Sequence, residues 1–138
     1  FTGNLLREHH WAEEDIRAVQ HCIRAHRYRD ERENPQSLEA RVLYDADKLD
    51  SIGAVGAVRA IAVSVERGLV FYQKPSRQFL DTGKLSEGEV HSAYHEYWFK
   101  LKNVKSRLLT TTGKSFAETR HHTMCVFFDQ LAQEIDGD

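Results

Sequence analysis

The sequence predicts an all-α domain, and three observations carry the prediction. Only two prolines occur among 138 residues, Pro35 and Pro75. No segment keeps a clean alternation of apolar and polar side chains, and apolar residues recur at helical spacing instead. The length suits one domain around one core.

The elements follow in chain order. In "AEEDIRAVQHCIRAHRY", Ile16, Val19 and Ile23 recur at helical spacing, and Glu13, Glu14 and Asp15 fill a first turn where the helix dipole favours acids. "RDEREN" reads as a polar loop. Asn34 and Pro35 read as an N-cap and first helical position, opening a helix to about Leu49. Residues 52–67 form a small-residue helix ended by Gly68. "GLVFYQKPSRQFLDTGK" is a loop or short turn. Ser86, with Glu89 three residues on, has the capping-box pattern and opens a long helix to about Leu108. Thr112 or a neighbour opens the last helix, to about Ile135, with Phe116, Met124, Phe127, Phe128 and Leu131 as its core stripe. The segment "FTGNLLREHH" lacks the charged and long apolar regions of a signal peptide, and no helix is assigned to it.

Composition narrows the function classes. No run of eighteen apolar residues is present, so no membrane-spanning helix is expected. Nineteen Lys and Arg nearly balance 21 Asp and Glu, for a net charge of −2, so no broad basic field for nucleic acid is expected. Cys22 and Cys125 make neither a metal spacing nor a disulfide framework, which points to a reducing cytoplasm.

The stretch "LYDADKLDSIGAVGAVRA" carries Asp45, Asp47 and Asp50 among small and apolar side chains. At 100° per residue, Leu38, Val42, Leu49 and Ile52 make one apolar stripe with Asp45 inside it. Asp47 lies on the other side, near Leu43 and Asp50. Whichever side is buried, an aspartate goes with it. A buried carboxylate needs a metal, a cation or hydrogen-bond donors. Two readings stay open on spacing alone. The aspartates pair with Lys48, Arg120 or another cation, or cap a neighbouring helix. Alternatively one of them binds a metal.

Taken together, several stretches resemble the HD-domain metal-dependent phosphohydrolases, and in particular a small bacterial branch that includes nucleotide pyrophosphohydrolases. The first is Ile23 with His26, then Pro35, Leu38 and Glu39, then the run Asp45–Asp50 with Gly53, Gly56 and Arg59. The second is "TTTGKSFAETRHHTM", in which Thr110, Gly113, Lys114, Ala117, Arg120 and Met124 fit the branch pattern without a gap. A third, looser stretch is "EYWFKLKNV", with Lys100 and Leu101 matching a Lys-Leu pair.

The resemblance implies an HD-domain helical bundle spanning residues 1–138 as a single domain. It implies a divalent cation (Mn²⁺, Mg²⁺, Co²⁺ or Fe²⁺), with Asp47, in its Ala-Asp-x-Leu setting, as a metal ligand. His26, Lys100 and Arg120 would bind the phosphates of a small-molecule substrate, a nucleotide being the expected class. Asp45, Asp50 and Arg59 would stand behind these groups and position them. The implied activity is metal-dependent hydrolysis of a phosphate ester or anhydride. The family's adjacent His-Asp pair occurs nowhere in these residues. The expectation is that helices carrying it precede Phe1. The alternative is a catalytically incomplete helical domain with a regulatory or interaction role.

Other histidines are weaker candidates. His9 and His10 are adjacent and rarely face one cation. His21 and His26 are five apart and do not chelate together. His91 and His95 have chelating i, i+4 spacing but read more simply as an exposed helix face. Lys114 is a weak phosphate candidate near a helix start. "GAVGAVRA" is not a nucleotide fingerprint, because no strand precedes it and the spacing is wrong.

Overall fold

A computed structural model describes residues 1–27 and 33–137. The loop expected over 29–34 falls largely outside these residues. Among the described residues there are seven α-helices and no strand: α1 (Thr2–Glu8), α2 (Glu13–Ala25), α3 (Leu38–Leu49), α4 (Gly53–Glu66), α5 (Arg77–Thr82), α6 (Ala93–Phe99) and α7 (Thr111–Asp136). Two 3₁₀ turns, Leu101–Asn103 and Lys105–Arg107, join α6 to α7. The all-α class therefore holds.

Packing runs through α7, which lies along α4 and α3, while α6 closes on α4. Tyr97 of α6 stacks on Phe128 of α7 at 4.4 Å, and Ile52, Val104, Leu108 and Met124 complete a dry cluster around the pair. Each large side chain buried there contributes about 1.5–3 kcal/mol relative to exposure. The expected α7 stripe is corrected at two positions. Met124 and Phe128 are buried, but Phe116 and Phe127 are exposed, and Ala117 takes the inner position where α7 comes close to its neighbours. The stripe on α3 is corrected likewise. Leu38 and Val42 are exposed, whereas Ala40, Asp45 and Lys48 are buried.

Helix starts differ from the expectation wherever several capping side chains compete. Ser37 caps α3 by accepting from the Ala40 N–H at 3.2 Å, so Asn34 and Pro35 lie outside the helix. The segment 1–10 holds α1, tied to α2 by Arg7 and Glu13 at 2.5 Å. A seven-residue helix has little stability of its own, so packing rather than pattern sets it, and periodicity misses it. Within the expected loop 68–84, Ser76 caps α5 by accepting from Phe79 N–H at 3.0 Å.

The long helix expected from Ser86 does not form. Glu89 does reach back to the Ser86 N–H at 2.6 Å, but Gly88 sits at φ +75°, outside helical space. The same carboxylate also accepts from the Ser76 N–H (2.6 Å), the Ser76 hydroxyl (2.7 Å) and His95 Nε2–H (3.0 Å). A pattern that resembles a capping box is used to clamp the start of α5 to α6. Ser92 caps α6 instead.

This clamp has a pH signature. Burial pushes the Glu89 carboxyl up, but hydrogen bonds from His95, from the Ser86 and Ser76 N–H groups and from the Ser76 hydroxyl outweigh it and hold it at about 2. Its ordinary value is 4.5. A depressed folded value means that the contribution of Glu89 is complete above the ordinary value and is lost as pH falls toward the folded one. Glu89→Gln is expected to flatten the loss of stability between about pH 5 and about pH 2. Urea unfolding across that range tests it, and identical slopes for both proteins would contradict the role.

Candidate functional site

The α3 aspartates separate into three environments. Asp45 is buried, 2% exposed, and points at the start of α7. Its carboxylate accepts from the Leu109 N–H (2.9 Å), the Thr110 N–H (2.7 Å) and the Thr110 hydroxyl (2.6 Å). The same hydroxyl oxygen caps α7 by accepting from Gly113 N–H at 2.9 Å. Gly113 has no side chain, and a Cβ there would overlap the Asp45 carboxylate. Asp45 is thus satisfied by donors on a neighbouring helix start and needs neither a cation nor a metal.

Asp47 is about half exposed and pairs with the buried Lys48 ammonium at 2.7 Å. Lys48 Nζ also donates to the His26 carbonyl at 2.9 Å and lies over the Tyr44 ring at 4.6 Å. One ammonium therefore joins Asp47 to the end of α2 and to His26. The His26 ring donates from Nδ1 to the Ile23 carbonyl. That bond makes Nδ1 the donor and fixes the orientation of the ring.

Asp50 ends α3 and is paired with Arg59 of α4. Arg59 in turn lines a cavity of about 220 Å³ between α4 and the α6 segment. Arg67, Lys100, His91 and Glu96 line it too, with Ser51 and Ser64. Arg67 sits one residue beyond α4 and has no carboxylate partner among the described residues. Lys100 is held by Glu96 at 2.7 Å. Burial lowers the His91 pKa, the pull of Glu96 opposes this, and His95 adds to the lowering. The lowering favours the neutral imidazole, and the fixed positive charge of the cavity comes from Arg59, Arg67 and Lys100.

Of the sequence candidates, the structure groups Arg59 and Lys100 on this cavity, and His26 with Asp47. Arg120 is not among the residues that line the cavity. Its guanidinium donates to the Leu49 carbonyl at 2.7 Å, so it caps the end of α3 rather than meeting an aspartate. The cation at Asp47 is Lys48, and the one at Asp50 is Arg59. His91 and His95 are not an exposed helix face. His95 is fully buried between Ser92 (Nδ1, 2.7 Å) and Glu89, and His91 is half-buried in the cavity wall. Arg67 was absent from the sequence candidates. Its signal was its place eight residues beyond Arg59 in the helix expected over 52–67, roughly 80° around the axis.

The described residues do not by themselves complete a metal site. No group of three or more His, Cys, Asp and Glu side chains among them is placed to hold an ion. The carboxylate named for the metal is already neutralised by Lys48. No chemical step can be drawn through a cation from these residues alone.

No protein-family model matches the chain. In sequence it is similar to the uncharacterized protein YpgQ of Bacillus subtilis (strain 168), with 33% identity over 127 residues, covering 90% of this chain and 55% of YpgQ. In structure it is similar to Bacillus subtilis YpgQ in complex with ADP, with a TM-score of 0.74, 31% identity, and coverage of 99% of this chain and 63% of that one. It is also similar to an HD-superfamily hydrolase from Bacillus thuringiensis, with a TM-score of 0.69, 26% identity, and coverage of 98% and 61%. The chain thus spans between about half and two thirds of the length of these relatives. No helix of the described residues is long and apolar enough to cross a membrane.

Proposed function

Because the chain belongs to an HD-superfamily branch with YpgQ-like relatives, we propose that the protein is a divalent-metal-dependent phosphohydrolase acting on a phosphate ester or anhydride of a nucleotide. The observation that carries this reading is the convergence of Arg59, Arg67 and Lys100 on one cavity beside the end of the helix that bears Asp47 and Asp50. Guanidinium and ammonium groups suit phosphate oxygens, and a planar guanidinium can bind two at once. The Asp50 pair holds Arg59, and the Glu96 pair holds Lys100, so both cations are oriented before substrate arrives. The ADP complex of the YpgQ relative supports a nucleotide-like ligand.

In this reaction class water attacks phosphorus and a P–O bond breaks. The part of these residues is to bind and hold the phosphate chain. Asp47 is the metal ligand offered by the described residues, and the proposal takes the remaining ligands from residues beyond them.

Arg67→Glu in the full-length protein tests the reading. Arg67 is exposed and has no carboxylate partner among the described residues, so the fold is expected to survive. Reversing its charge is expected to raise KM for a nucleoside triphosphate by roughly 10–100-fold, the loss expected for a charge-assisted phosphate contact. An unchanged KM would remove the cavity from the substrate path. The incomplete-domain reading is favoured by one observation, the occupation of Asp47 by a buried ammonium. It is the correct one if the full-length protein binds nucleotide but neither retains Mn²⁺ nor hydrolyses any member of a nucleotide panel.

A further inference from the structure

The cationic cavity has a neighbour. A second cavity, of about 500 Å³, shares Glu96 and Lys100 with it, and that ion pair forms the wall between them. The two cavities differ in chemistry. The second is lined by Phe79, Trp98 and Phe99, with Asn103 and Arg107 as polar groups.

Its rings are held in advance of any ligand. Phe79 is buried at 3% exposure and packs edge-on against the His95 ring at 4.5 Å, so it is part of the wall. Phe99 is different. It is 59% exposed, yet its ring rests on the backbone of Gly83, where a Cβ would overlap it. An apolar ring that is open to solvent but backed by a turn loses little freedom when another flat group covers it. Beside it, Asn103 donates from its amide nitrogen to the Phe99 carbonyl at 3.1 Å. This bond orients the amide and leaves its carbonyl oxygen as an acceptor.

A pocket with an open aromatic face and an oriented amide suits a flat heteroaromatic group with N–H donors on its edge. A pocket with three cations suits a phosphate chain. A nucleotide joins both groups in one molecule, and here the two pockets share a wall. We propose that the aromatic cavity is the base-binding half of a single nucleotide site, with the base stacked on Phe99 and the phosphates held across the Glu96–Lys100 pair by Arg59 and Arg67. The proposal rests on the phosphohydrolase reading for the phosphate end only. Phe99 is a specificity residue in it and takes no part in bond making or breaking.

Calorimetric titration of the full-length protein with ADP and with inorganic pyrophosphate tests it, because the two ligands share a diphosphate and differ by the nucleoside. ADP is expected to bind about ten-fold or more tightly than pyrophosphate, in keeping with one base–aromatic stack. Phe99→Ala is expected to abolish that advantage and leave pyrophosphate binding unchanged, while Phe99→Tyr, which keeps the ring, retains it. Thermal melting checks that the variants are folded, which the exposure of Phe99 favours. Equal binding of the two ligands, or a Phe99→Ala loss shared by both, overturns the base assignment and leaves the phosphate reading standing. Absence of binding by either ligand overturns both.

Discussion

Replacing Asp45 by alanine is expected to cost about 2–5 kcal/mol of folding stability. The carboxylate is buried and accepts three hydrogen bonds, two from backbone N–H groups and one from the Thr110 hydroxyl. Removing it takes the partner from the Leu109 and Thr110 N–H groups, both part-buried, and a donor left unsatisfied costs about 1–3 kcal/mol when it is buried. Thr110 also loses the acceptor that orients its hydroxyl as the α7 cap. Melting temperature is expected to fall by roughly 5–20 °C for a domain of this size. Gly113→Ala is expected to act in the same direction by pushing a methyl into the carboxylate. A loss below about 1 kcal/mol in Asp45→Ala, read from urea unfolding, would show that water replaces the carboxylate at no cost and would end the structural assignment.

Asp47 is expected to behave in the opposite way. On the proposed reading, Asp47→Asn in the full-length protein lowers nucleotide turnover by about 100-fold or more, because a neutral amide is a poor ligand for a hard divalent cation. Its stability is expected to fall less than that of Asp47→Ala, because the amide oxygen still accepts from Lys48 although the opposing charge is lost. Asparagine is the informative replacement. Asp47 is half exposed, but its partner Lys48 is buried, and alanine would leave that ammonium with the His26 carbonyl and the Tyr44 ring alone. Breaking a pair with a buried charge costs about 3–5 kcal/mol, which would mix folding with chemistry. Full turnover with full Mn²⁺ content in Asp47→Asn would remove Asp47 from the metal and strengthen the incomplete-domain alternative.

The long helices were legible because their stability comes from periodic apolar faces that the sequence displays. α2, α4 and α7 fall within a few residues of expectation. The short ones were not. α1, α5 and α6 have six or seven residues each; α5 and α6 depend on one serine cap, and all three depend on the surface they lie against. Ser86 and Glu89 show the difficulty best. Their local pattern was read correctly as a hydrogen bond and wrongly as a helix start, because Glu89 has further partners in Ser76 and His95. The expected burial of one aspartate was a statement about faces of a helix, and spacing supplied that. Which donors would meet it was not legible, since Leu109 and Thr110 lie 64 and 65 residues away. The resemblance drew attention to Asp47, Lys100 and Arg59. It could not show that Arg67 joins two of them, or that Arg120 turns to a carbonyl.

The bonds from Leu109 and Thr110 to Asp45 also set when α7 can be fully formed. A helix start ordinarily finds its donors' partners among adjacent residues, so it can close its first turn alone. Here two of the amides leading into α7 are satisfied only by a side chain on α3. Docking of α3 and satisfaction of these two amides are therefore one event, and the amide protons of Leu109 and Thr110 serve as a clock for it. They are expected to exchange with solvent only when α3 lifts away, so their hydrogen-exchange protection measures the free energy of that opening.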